Sequence, residues 1–194
     1  MVMLSECIGS SRHSTVEALL DAFNAAAAGA DLASYFGCFL SQDCRFLGTD
    51  ASENWSAADF YEFAKPHFEK GSAWTYVPIA GSRKCAAPVS GMVVFDELLE
   101  SLSFPCTCRG SGTAVLDQTA GSWFIAQYHL TFGVPNDMAG AVCGAIGNFE
   151  RRGSGRGAAA VTAAAAEEEL LRLLDMESSS AAATKTKAKG TKKK

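Results

Sequence analysis

The stretch TCRGSGTAVLDQTAGSWFIAQYHLTF, residues 107–132, is where the fold is decided. Two runs rich in β-branched and aromatic residues, 107–116 and 122–132, flank DQTAG, a five-residue loop containing glycine. That pattern predicts an antiparallel β-hairpin. A strand sends alternate side chains to opposite faces. Trp123, Ile125, Gln127, His129 and Thr131 are therefore expected on one face, with Phe124, Ala126, Tyr128, Leu130 and Phe132 on the other. The second set is apolar and is expected to meet helices. In the first run Arg109, Ser111, Thr113 and Val115 stand opposite Cys108, Gly110, Gly112 and Ala114. Small residues in the latter set leave room for a bulky neighbour, as a curved sheet or a cavity requires.

Outward from the hairpin, WTYVPI (74–79) and GMVVFDELL (91–99) also read as strands, and CRFLG (44–48) has strand-like composition. Helices come earlier. Ser14 with Glu17 forms a capping box, and Val16, Leu19, Leu20 and Phe23 follow the spacing of one buried helix face up to the stop at Gly29. Asp31 is placed to cap a second helix with Leu32, Tyr35, Phe36, Phe39 and Leu40 on one stripe. Ser56 and Asp59 open a third, burying Phe60, Phe63 and Ala64, with Pro66 expected to kink or end it. Helices first and antiparallel strands afterwards mean an α+β fold, with helices covering one face of a curved sheet.

Composition narrows the rest. The 194 residues are 48% hydrophobic and include twelve Phe, three Trp and four Tyr, enough for one full core. No run of eighteen apolar residues is present, and MVMLSECIGSSRHS lacks the pattern of a secretory signal. Seven cysteines without such a signal suggest a reducing, cytoplasmic setting. The net charge of −4 conceals an acidic body and a basic end: Lys185, Lys187, Lys189, Lys192, Lys193 and Lys194 close the chain. An acidic body repels phosphate backbones, so only Lys185–Lys194 is a candidate for contact with polyanions, or for a nuclear-targeting patch.

The segments FGCFLSQDCRFLGTD (36–50), ENWSAADFYEFAKPHF (53–68), WTYVP (74–78), FDELL (95–99), CRGSG (108–112) and WFIAQYHLTFGVPND (123–137) together resemble a SnoaL-like domain of the nuclear transport factor 2-like superfamily. The resemblance runs over about residues 14–138. It implies an α+β cone: a curved mixed sheet with three N-terminal helices packed in its concave face, enclosing a pocket. Members of the family include steroid isomerases, polyketide cyclases, dehydratases and non-catalytic binding or assembly modules, so the fold alone does not select the chemistry. In the isomerases the general base is an Asp just after the strand that follows the second helix. Here that position falls near Gly48, and Asp50 is the nearest substitute.

The candidate catalytic residues are Asp50, Glu97 and His129, which could serve as proton acceptor or, for His129, as electrophile. Arg109 could fork onto a carboxylate or an enolate-like oxygen; its plainer use is an ion pair with Asp96 or Glu97 across the sheet. Trp55, Trp74, Arg109, Gln127 and Tyr128 are the candidate ligand-binding residues. His13, His67 and His129 are dispersed, and Cys106 and Cys108 point to opposite faces of a strand, so no metal site and no cofactor are expected. No Gly-x-Ser-x-Gly elbow occurs.

These readings divide the chain into an N-terminal arm (1–13), the SnoaL-like domain (14–138), a Gly-rich connector (139–157), an Ala-rich helix (158–176) and a disordered Lys-rich tail (177–194). The expected role is a non-catalytic small-molecule-binding or assembly module that dimerises through the open sheet face. The alternative is an isomerase, cyclase or dehydratase acting on a small apolar carbonyl compound by proton transfer.

Overall fold

A computed structural model describes residues 3–153. The Ala-rich segment 158–176 and the Lys-rich tail 177–194 lie outside the described residues. The chain divides into two compact units after Val134. The first unit carries α1 (Leu4–Cys7), α2 (Val16–Ala28), α3 (Leu32–Gly37), β1 (Arg45–Leu47), β2 (Asn54–Ser56), α4 (Ala57–Glu69), β3 (Tyr76–Pro78), β4 (Lys84–Val89), β5 (Met92–Ser101), β6 (Thr107–Asp117) and β7 (Ser122–Phe132). The second contains a 3₁₀ turn (Asn136–Met138) and α5 (Ala139–Gly153).

The strands form one curved, unclosed sheet in the order β2-β1-β7-β6-β5-β3, with β4 also paired to β5. Among these strands β1 runs parallel to β7, and the other strand pairings are antiparallel. The hairpin read from 107–132 is present, closing at the Asp117–Ser122 pair. β2 and β4 were not visible in the sequence. Asn54–Ser56 is three residues long, and KCAAPV is a strand with every side chain exposed, so neither carries hydrophobic alternation.

Helix starts follow from capping chemistry. Asp31 accepts the Ser34 amide at α3, and Ser56 accepts the Asp59 amide at α4, as their spacing predicts. At α2 the cap is Thr15, which accepts the Ala18 amide, and not Ser14. The backbone of His13, just before it, is drawn to the sheet instead: its N–H donates to Ser122 Oγ at 2.7 Å and its carbonyl accepts the Trp123 N–H at 2.9 Å. Pro66 does not end α4, which continues to Glu69. Pro66 and Glu62 both sit on the exposed side, where the carbonyl that loses its partner faces water. Helix α3 stops at Gly37, so Phe39 and Leu40 lie beyond it; Phe39 is buried, and its segment bridges to Ile125.

Leu19, Leu20 and Phe23 of α2, Tyr35 and Phe36 of α3, and Phe60 and Ala64 of α4 join Phe95, Leu99, Ile125, Tyr128 and Leu130 of the sheet in one core. Each fully buried Leu or Phe contributes about 2 kcal/mol of transfer free energy. Phe63, expected inside, is partly exposed and stacks on Trp55 at 4.8 Å.

The strict alternation expected along β7 fails at one residue. Thr113 pairs with Gln127 but Ala114 pairs with Ile125, leaving Ala126 without an opposite number. This β-bulge shifts the phase, so Ile125 joins Tyr128 and Leu130 in the core. Among the described residues no helix is long and apolar enough to cross a membrane.

Candidate functional site

Sheet register sorts the candidate residues into two faces. Residues directly opposite on paired strands share a face. On the outer face, Val94, Thr113, Gln127 and Arg45 form one cross-strand row; Lys84, Asp96, Ser111, His129 and Leu47 form the next; Leu98, Arg109 and Thr131 form a third. On the inner face, Phe95, Gly112, Tyr128, Phe46 and Trp55 form a row, followed by Glu97, Gly110 and Leu130. Arg109, Gln127 and His129 therefore stand on the side away from Tyr128 and Glu97. Arg109 is bound to Asp96 in an exposed ion pair, the plainer use foreseen for it. The sequence placed Asp96 and Glu97 together as partners for Arg109, but adjacent strand residues point apart, and Glu97 turns inward.

Inside, Phe23 and Asn24 of α2, Tyr35 of α3, Phe46 of β1, Trp74 of the loop after α4, and Tyr128 of β7 surround a cavity of about 10 Å³. That is room for roughly one water molecule. Ring packing explains its size. Phe23 stacks on Tyr35 at 4.3 Å, Phe46 stacks on Phe60 at 3.7 Å, and Trp74 stands 5.7 Å from Phe60. The glycines of β6 yield the space that these rings take. A Cβ on Gly110 would lie 2.2 Å from the Tyr128 hydroxyl; one on Gly112 would lie 2.0 Å from the Gln127 backbone carbonyl and 2.9 Å from the Phe95 ring.

Behind this aromatic layer lies a polar cluster. Glu97 has no exposed surface; its Oε1 accepts the Asn24 amide at 3.1 Å and its Oε2 accepts Arg83 Nε at 2.7 Å. Arg83 also pairs with Asp21 at 2.8 Å and donates to the Glu17 carbonyl. Burial disfavours the Arg83 charge, but its hydrogen bonds to Glu97 and Asp21 outweigh this and raise its pKa. Tyr128 is held neutral well above the usual phenol range, first by burial and then by the negative field of Glu97. Burial does the same to Tyr35.

Asp50 lies elsewhere, exposed in the turn between β1 and β2, where its Oδ1 accepts the Ser52 N–H at 2.8 Å and the Ser52 hydroxyl. Those bonds lower its pKa, leaving a weaker base than an ordinary carboxylate. Of the candidates, then, Trp74 and Tyr128 line the cavity, Trp55 packs beside it, Glu97 lies behind it, and Asp50, Arg109, Gln127 and His129 are away from it. Among the described residues no cluster of His, Cys, Asp or Glu could hold a metal ion.

Residues 16–135 match the SnoaL-like domain, 120 of the 194 positions, and the helix-lined mixed sheet agrees with it. The chain belongs to the SnoaL-like domain family. Among solved structures, a nuclear transport factor 2-like protein of unknown function from Pseudomonas putida KT2440 aligns with a TM-score of 0.50 at 8% identity, over 63% of this chain and 87% of that one. A ketosteroid isomerase-like protein from Erwinia carotovora atroseptica aligns with a TM-score of 0.47 at 16% identity, over 62% and 95%. A further nuclear transport factor 2-like protein, from Cytophaga hutchinsonii, gives 0.48 at 16%, over 59% and 93%. No curated protein matches the sequence.

Two residues of this SnoaL-like domain escaped the sequence reading. A Cβ on Gly48 would meet Glu53 Oε2 at 2.1 Å, so Glu53 occupies the space above the position where the isomerase resemblance puts a base. Its carboxylate is engaged by the Asp50 N–H at 3.2 Å. Arg83 sits in a turn-rich stretch with no periodicity. The signal for it was Glu97 itself, an acid on the apolar alternation Val93, Phe95, Leu99, which demands a cation.

Proposed function

We propose that this SnoaL-like domain is a non-catalytic assembly module whose working surface is the outer sheet face, where two copies associate. The carrying observation is the filled interior: the aromatic layer leaves space for about one water, not for a carbonyl substrate. The polar groups fit the same reading. Glu97 is tied to Arg83 and Asn24, Asp50 to Ser52, and Arg109 to Asp96, so both candidate carboxylates and the candidate guanidinium are occupied by structural partners. The outer rows offer partly exposed apolar residues, Val94 at 41% exposure and Leu98, framed by the Arg109–Asp96 pair and by Gln127. An apolar centre with a polar rim suits a protein interface.

The test is sedimentation of the full chain together with native mass spectrometry. The expected result is a dimer without a retained small molecule, and dissociation to folded monomers on Val94→Glu. A chain that stays monomeric at tens of micromolar, or that carries a stoichiometric small molecule, overturns the proposal; the second result points to the enzyme or ligand-binding alternative.

A further inference from the structure

His129 stands in the middle rows of the outer sheet face. Of the chain's three histidines it alone lies on a strand: His13 precedes α2, with its imidazole beside Cys38, and His67 is on α4 beside Phe63. Directly opposite His129 are Ser111 on β6 and Leu47 on β1. Thr113 and Arg109 are diagonal to it on β6, Arg45 is diagonal on β1, and Gln127 and Thr131 flank it along β7. Further along its row come Asp96 of β5 and Lys84 of β4. The charged neighbours of His129 are therefore two guanidiniums. The acids of this face, Asp96 and Glu100, stand on β5, two strands away, and Asp96 is already bound to Arg109. Arg45 is turned to the Asn54 carbonyl at 3.1 Å. Unlike Asp50, Glu97 and Arg109, the imidazole of His129 has no hydrogen-bond or ion-pair partner among the described residues. It is half-buried before any second copy arrives.

Such a group suits a dry contact only while it is neutral. Covering the face strips water from the imidazole, and burial disfavours the charged form of a histidine. With two guanidiniums beside it and no acid adjacent, nothing on its own sheet compensates a proton taken up there. We infer, resting on association through the outer sheet face, that His129 makes this assembly pH-dependent: two copies hold together while the imidazole is neutral and separate as it is protonated. Histidine is the side chain whose charge changes between about pH 5 and 8. Separated chains bind protons that the dimer excludes, one at His129 of each copy, so acid favours separation. The contact is at full strength above that range and is lost as pH falls through it.

The test is sedimentation of the full chain at about pH 7.5 and about pH 5.5 at equal ionic strength, with circular dichroism to follow the sheet. The dimer dissociation constant should rise about tenfold or more in acid. In His129→Gln, which cannot charge, the same ratio should stay within about threefold. That variant keeps His13, whose pKa is lowered by burial, so any titration there shows as a remaining response. An unchanged constant in the natural chain, a variant that responds equally, or tighter association in acid overturns the inference; the last would mean that a carboxylate of the second copy meets the imidazolium. A chain monomeric at both pH values fails earlier, at the sheet face itself, and takes the inference with it. A second measurement needs no variant. Diluting the dimer near about pH 6.5 should give heats that differ between phosphate and imidazole buffers, because separating chains take up protons. Equal heats overturn it as well.

Discussion

Arg83 and Glu97 meet through a single oxygen: Nε and Nη2 of the guanidinium both lie 2.7 Å from Oε2 of a carboxylate with no exposed surface. Nε makes the aligned hydrogen bond, and Nη2 is buried without an aligned acceptor. Removing one partner strands a charge in the core, whereas removing both does not. Arg83→Met is expected to cost about 3 kcal/mol in urea unfolding, and Arg83→Met with Glu97→Leu to recover most of that loss. A double variant as unstable as the single one would show that the ion pair itself holds the fold.

Gly110 and Tyr128 form the second coupled pair. An added methyl at 110 would stand 2.2 Å from the phenol oxygen and 3.1 Å from Leu99. Gly110→Ala should destabilise by about 1–3 kcal/mol through overpacking. Tyr128→Phe removes the clashing hydroxyl, so the combined variant should be more stable than the two single losses add up to. Strict additivity in the unfolding free energies would contradict the geometry.

The buried phenols make stability fall at high pH. Tyr35 and Tyr128 have folded-state pKa values raised by burial, while the unfolded chain ionises near pH 10. Their contribution is therefore full below about pH 10 and is lost as pH rises from there toward the raised folded values. The phenolate absorbance of these two residues should appear together with loss of the sheet signal in circular dichroism. Their ionisation near pH 10 with the sheet intact would show that they are solvated.

Thr15, not Ser14, caps α2. Thr15→Ala should lower stability by about 1 kcal/mol, and Ser14→Ala should leave it within about 0.5 kcal/mol, each read from denaturant midpoints. The reverse order would return the cap to Ser14.

Much of this architecture was legible because the patterns were local. Residues 107–132 gave the hairpin through composition and a glycine-containing loop, and Asp31 and Ser56 gave helix starts through side chains that reach only three residues ahead. Gly110 and Gly112 announced a close neighbour, which proved to be the Tyr128 side chain at Gly110 and the Gln127 backbone, with Phe95 behind it, at Gly112. What escaped depends on distance. Arg83 finds Glu97 fourteen residues later only because β4 pairs with β5, and Glu53 covers Gly48 only because β1 and β2 fold together. The tight interior was hidden for the same reason: ring positions along α2, α3, α4 and the sheet do not reveal how closely the rings interlock.

Ala126 leaves a constraint on how this strand can change length. Deleting that single residue would restore unbroken alternation and turn either Trp123–Ile125 or Gln127–Phe132 inside out, exchanging Ile125 for Phe124 in the core or pushing Gln127 and His129 into the aromatic layer. Between Ser122 and Phe132, lineages descended from this chain can therefore gain or lose residues in twos, but a lone gain or loss rewrites which side chains of the strand reach the helices.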